Sequence, residues 1–214
     1  MTGEERRKPA LAVYRRLNRL YGPQKCALHY STPHELLVAT ILSAQCTDVR
    51  VNQVTPALFS RYPDAAAFAA AVPAELEEAI RPVGFFRHKA AAIIGASQEI
   101  VTRYHGKVPQ TMDELNQLPG IGRKTANVVL GDAFGVPGFP VDTHVNRLLN
   151  RIGLTTESDP VKIEAEINAA MPSRYWVNFS HLLIVHGRQV CQARKPQCET
   201  CVLKTSCRFA GGKQ

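Results

Sequence analysis

Four of the six cysteines lie in the last 24 residues, at Cys191, Cys198, Cys201 and Cys207, and they limit the possible folds more than any other feature. The gaps between them hold six, two and five residues. An array with these spacings closes a loop around one centre. Two disulfides are the rival reading, and they need an oxidising compartment. Met1 to Leu20 is basic and lacks the apolar core of a secretory signal, and no apolar run approaches the length of a membrane span. The expected location is therefore cytoplasmic, where clustered cysteines serve as thiolate metal ligands. Zinc is usually held by two C-x2-C pairs; only one is present, which favours an iron–sulfur cluster. Cys26 and Cys46 stand apart and are expected to pack as small apolar side chains.

The chain has 214 residues, enough for one large or two small cores. Lysine and arginine total 26 against 18 aspartate and glutamate, a net charge of +8. Such an excess suits a polyanion. No polybasic block sits beside an amphipathic apolar helix, so nucleic acid is favoured over a membrane surface. No heptad pattern appears, and a monomer is expected.

Helical signals dominate. Thr32-Pro33-His34-Glu35 reads as a capping box, followed by a segment from Leu36 to Leu42 that is apolar on nearly every side. Further helices are expected at Asp48–Ser60, Asp64–Ala71, Pro73–Ile80 and Arg87–Tyr104. Thr111 to Glu114 reads as a second capping box, opening a helix that ends at Leu118. Others are expected from Arg123, from Thr143, at Val161–Ala170 and at Trp176–Gly187. No alternating strand pattern is present, so the expected class is all-α.

Leu118-Pro119-Gly120-Ile121-Gly122-Arg123-Lys124-Thr125-Ala126 has the form of a helix-hairpin-helix. Its glycines allow positive φ, as a tight hairpin that exposes backbone N–H groups to phosphate requires. The helix dipole and Arg123 add positive potential there. The bland alternative is an ordinary corner between helices. Lys124 sits in the first turn of the second helix, where the same potential should favour its neutral amine. A neutral amine can form a Schiff base with an aldehyde carbon. Asp142 follows 18 residues later, in the sequence position of a helix N-cap, and spacing alone does not bring it to Lys124.

Taken together and in order, Leu118 to Leu130, Val141-Asp142-Thr143-His144-Val145 and the four-cysteine loop resemble the endonuclease III family. Leu42 to Asp48 and Val83 to Ala90 extend the resemblance along nearly the whole chain. That family comprises helix-hairpin-helix DNA glycosylases with AP-lyase activity. The resemblance implies two helical halves flanking a DNA-binding cleft. One half is a six-helix module at 26–136, and the other is a discontinuous domain from 1–25 plus 137–214. Lys124 is then the catalytic amine and Asp142 the carboxylate that assists it. Cys191, Cys198, Cys201 and Cys207 are ligands of a 4Fe-4S cluster. Gln45 fills the gap left by a flipped nucleotide, and Phe85 is a wedge against the opposite strand, or else both are core residues. Gly120, Ile121, Gly122, Arg123, Thr125 and His144 complete the DNA contacts. Arg188, Arg194, Lys195, Lys204 and Arg208 are further phosphate-contact candidates or simply solvated charge. Cys46 departs from the Ala or Thr common in the family.

The implied activity is bifunctional: excision of oxidised pyrimidines from double-stranded DNA, then strand cleavage by β-elimination, in a cytoplasmic, nucleoid-associated protein. Two alternatives remain at this point. A monofunctional adenine mismatch glycosylase lacks the hairpin lysine and needs a Glu about where Ala39 and Thr40 stand. A non-catalytic helix-hairpin-helix module would bind DNA without chemistry.

Overall fold

The computed structural model describes residues 2–211, and it is helical with no β-strand among them. No helix there is long and apolar enough to cross a membrane. The chain divides into two compact units, Cys26–Val136 and the combination of Met1–Lys25 with Pro137–Gln214. Its first helix, α1 (Gly3–Tyr21), belongs to the second of these.

The Cys26–Val136 unit contains α2 (Pro33–Leu42), α3 (Asp48–Arg61), α4 (Ala65–Ala69), α5 (Pro73–Ile80), α6 (Phe86–Tyr104), α7 (Met112–Asn116) and α8 (Arg123–Phe134). Every residue from Leu36 to Leu42 is buried, which explains why α2 shows no polar face in sequence. It packs against α3, α6 and α8, while α6 carries α4 and α5 on its flank. Phe68, Leu76, Ile80, Ile93, Ile100 and Leu115 fill the rest of this core, and Cys26 and Cys46 pack against it as expected.

The other unit contains α1, α9 (Thr143–Ile152), α10 (Pro160–Ala170) and α11 (Trp176–Gln189), then the cysteine loop with 3-10 turns at Lys204–Ser206 and Arg208–Ala210. Ala10, Val13 and Leu17 form the buried stripe of α1, against α10 and α11. Val145, Leu148, Leu149 and Ile152 form the stripe anticipated for α9. Arg6 is buried and binds both the Leu154 carbonyl (2.6 Å) and Glu166 (2.7 Å), tying α1 to α10.

Two local expectations are corrected. Thr32 does accept from the Glu35 N–H, but the Glu35 carboxylate accepts from Ser31 N–H, so the reciprocal bond is displaced by one residue. At Thr111 the hydroxyl donates to the Glu114 carboxylate, and α7 stops at Asn116, short of Leu118. The reciprocal capping box lies instead at Thr2 and Glu5, at the start of α1.

Candidate functional site

Between α7 and α8 the chain turns through Pro119 to Gly122. Leu118 and Ile121 are buried and pin the hairpin to the core, and the Ile121 N–H donates to the Leu118 carbonyl. Gly120 has φ +75°, and a Cβ there would stand 2.5 Å from the Ala92 side chain on α6. Gly120 is therefore required both by its conformation and by the closeness of α6. Gly122 does not use the positive φ that glycine allows: its φ is −100°, in extended backbone. Nothing lies within 4 Å of a Cβ built on it, so its small size leaves the start of α8 open. No side chain caps α8. Its first-turn N–H groups thus form an anion-attracting end, with Arg123 and Lys124 exposed beside it and Thr125 half-buried.

Gln45, Phe85, Gly120 and Thr125 meet on one cleft of about 230 Å³, together with Thr40 and Lys89. Seven of the eight residues anticipated as DNA contacts lie within Cys26–Val136, and four of them line this cleft. Gln45 (φ 52°) and Phe85 (φ 48°) are two of three described non-glycine residues in the left-handed region. Each such residue costs about 1–3 kcal/mol of strain, and such strain collects at functional positions. The third, His105, closes the C-terminus of α6. Phe85 is 60% exposed and Gln45 is exposed, so neither is a core residue.

Asp142 is the N-cap of α9, its Oδ1 accepting from the Val145 N–H at 2.8 Å. His144 follows, half-buried, with Arg147 Nη2 at 3.1 Å from its Nδ1. Burial lowers the His144 pKa and Asp142 opposes this, while Arg147 and Arg188 lower it further. Asp142 and His144 thus share the start of one helix, apart from the hairpin in sequence.

All four C-terminal cysteines border a single pocket, with Pro196 and Phe209 beside them, and none forms a disulfide. Among the described residues no three His, Cys, Asp or Glu side chains converge tightly enough to hold one metal ion. Burial pushes the Cys201 thiol up, the Leu203 N–H pulls it back, and the other three cysteines push it up again. Four thiols bordering one pocket have the donor chemistry of a thiolate-held metal centre.

Residues that sequence reading missed hold this loop. Arg151 donates to the carbonyls of Gln192 (2.8 Å) and Ala193 (2.7 Å), approaches Cys191 Sγ at 3.4 Å, and lies over the Phe209 ring. Arg147, one turn earlier, reaches the carbonyls of Gly187 and Cys191. His186 Nε2 lies 3.2 Å from Cys201 Sγ, and its Nδ1 lies 2.8 Å from the Tyr21 hydroxyl. With the phenol as donor, the imidazole proton sits on Nε2, facing the sulfur. The only sequence signal was the i, i+4 spacing of two arginines on α9. Of the basic candidates nearby, Lys204 pairs with Glu199, while Arg188, Arg194, Lys195 and Arg208 are exposed.

Residues 38–173 match the HhH-GPD superfamily of base excision DNA repair proteins. Endonuclease III of Synechocystis sp. is 56% identical over 192 residues, covering 89% of this chain and 88% of that protein. Among solved structures, a non-covalent endonuclease III–DNA complex superposes with a TM-score of 0.92 at 38% identity, covering 96% of each chain. A trapped covalent endonuclease III–DNA intermediate superposes equally well, at 38% identity over 96% of this chain and 97% of that one. Sequence motifs, helical fold and these likenesses agree, and the chain belongs to the endonuclease III family of helix-hairpin-helix base excision repair proteins.

Proposed function

We propose that this DNA glycosylase and AP lyase removes oxidised pyrimidines from duplex DNA and then cuts the strand, with Lys124 as nucleophile. The observation that carries this reading is the convergence of Gln45, Phe85, Gly120 and Thr125 on one cleft, beside the uncapped start of the helix that bears Lys124. The exposed N–H groups at Gly122 and Arg123 grip the DNA backbone without reading sequence. Phe85 wedges against the opposite strand and Gln45 fills the gap as the damaged nucleotide leaves the stack, at a cost of a few kcal/mol that is least for a poorly stacked lesion.

Lys124 Nζ then attacks C1′ of the sugar, forming the N–C1′ bond as the bond to the base breaks. Asp142 accepts a proton or balances the cationic sugar. The base takes up a proton as it leaves, and the C1′–O4′ bond then opens with O4′ protonated, giving the imine. This acidifies the C2′ proton, whose loss expels the 3′ phosphate by β-elimination, and water frees Lys124. His144 adds a contact at the start of α9.

Members of this family carry a 4Fe-4S cluster. Cys191, Cys198, Cys201 and Cys207 are the residues that would hold it, with Arg151 and His186 directed at two of the sulfurs. A bound cluster would supply a structural cross-link for the loop. The location proposed is cytoplasmic, on the nucleoid through DNA binding.

The adenine-mismatch alternative is disfavoured at Ala39 and Thr40. Both are buried, and Thr40 spends its hydroxyl on the Leu36 carbonyl at 2.7 Å, leaving no Glu at that place. The test is a duplex carrying one oxidised pyrimidine, scored beside undamaged and A·G-mismatched duplexes. Base release with strand cleavage on the lesion alone is expected. Release of adenine without cleavage, or binding without any product, would overturn the proposal.

A further inference from the structure

Lys89 ends the first turn of α6 with only 5% of its surface exposed, although α6 opens on a cleft where an exposed lysine would meet DNA phosphate. Burying a cation is costly unless its protons find acceptors. They do: Nζ donates to the Leu42 carbonyl at 2.8 Å and the Val83 carbonyl at 2.9 Å. These are no ordinary acceptors. Leu42 is the last residue of α2, and Val83 is the last residue of the 3-10 turn Arg81–Val83. Carbonyls at such ends lack helical partners and carry the negative end of the local dipole.

Three residues after Leu42 the chain enters the left-handed conformation at Gln45, and two after Val83 it does so at Phe85. One ammonium therefore anchors the base of both strained turns. The same helix also seats the hairpin. Ala92, one turn on, underlies Gly120, and a Cβ on Gly95 would meet the Pro119 ring at 3.3 Å.

We propose that Lys89 is a positioning residue for DNA distortion: its buried ammonium joins the Gln45 turn to the Phe85 turn, so that both side chains meet the duplex as one rigid pair. This rests on the reading of Gln45 and Phe85 as DNA contacts. Gap filling and wedging succeed only together and only at a fixed separation. Loosening either turn adds an ordering cost that falls on the distorted duplex, not on the initial backbone grip by the hairpin.

The experiment compares wild type with Lys89→Met, which keeps the stem and removes the charge and both bonds. It reads the thermal melt, affinity for undamaged duplex, fluorescence of 2-aminopurine opposite an abasic-site analogue, and the single-turnover excision rate. Gln45→Ala and Phe85→Ala are measured in both backgrounds. The variant should fold and bind undamaged duplex within about threefold of wild type. Excision should slow roughly 10- to 100-fold with a matching loss of the 2-aminopurine signal. Gln45→Ala and Phe85→Ala should each cost far less in the Lys89→Met background.

An unchanged excision rate would overturn the proposal. So would full additivity with both substitutions, or an equal loss of affinity for undamaged DNA. If Lys89→Met does not fold, Lys89→Gln takes the same comparisons. Wild type that excises nothing contradicts the proposed function itself, a result distinct from any behaviour of the Lys89 variants.

Discussion

In Cys26–Val136 the irregular backbone at Gln45, Phe85 and Gly120 rests on packed side chains, with α6 beneath it and a buried lysine bonded to two helix ends. In the other unit the cysteine loop hangs instead from long charged side chains. Arg147 and Arg151 reach its carbonyls from α9, while Leu203 and Cys207 enter the core and Cys191, Cys201 and Ala210 pack against it. Close packing fixes positions to fractions of an ångström, as a surface that must enter a duplex requires. Polar ties set a loop's course while leaving its sulfurs directed at a common pocket, as a metal-binding loop requires.

The contrast is sharpest within the hairpin. Gly120→Ala forces a left-handed conformation and a clash with Ala92, and unfolding free energy should fall by about 2–5 kcal/mol. Gly122→Ala meets open space at an ordinary φ and should change stability by less than about 1 kcal/mol. It should nonetheless weaken duplex binding by about 1 kcal/mol, roughly fivefold, because its methyl group covers the start of α8. Chemical denaturation and binding isotherms on both variants check this. Equal stability losses would mean that the two glycines do the same work.

His34, buried in the packed unit and bonded to Ser97, gives the next effect. Burial lowers its pKa from 6.5 to about 4. The unfolded chain therefore takes up the proton first as pH falls, and stability that is fully present above 6.5 drains away between 6.5 and 4. Over that window the loss should be about 3 kcal/mol greater in wild type than in His34→Gln, measured by denaturation at a series of pH values. Parallel profiles would place His34 outside the core's proton balance.

In the other unit, Arg151→Met removes two charge-assisted bonds from a half-exposed position. It should cost about 1–2 kcal/mol. Hydrogen exchange should locate the change in residues 190–210 and leave Cys26–Val136 protected. Exchange spreading into Cys26–Val136 would contradict the independence of the two loop-holding schemes.

Much of the architecture was legible in sequence because its causes are local. The stripe of α9, the full burial of α2 and the start of α8 at Arg123 follow from periodicity and from the hairpin glycines. The site was legible in part. Gln45, Phe85, Gly120 and Thr125 came from motifs, but their meeting on one cleft depends on contacts across tens of residues. The different roles of Gly120 and Gly122 were not legible, because a glycine kept for open space looks the same in sequence as one kept for positive φ. Lys89, Arg151 and His186 escaped notice because each acts through backbone carbonyls or a sulfur distant in the chain, and such partners leave no periodic trace.

The central claim is that Lys124 forms the imine. Borohydride added to the enzyme on duplex DNA with one abasic site tests it most directly, with wild type beside Lys124→Ala. Lys124 is exposed, so its loss should leave the melt unchanged. A covalent protein–DNA adduct in wild type and none in Lys124→Ala is the predicted result. An adduct of equal yield in the variant, or none from folded wild type, would contradict the account.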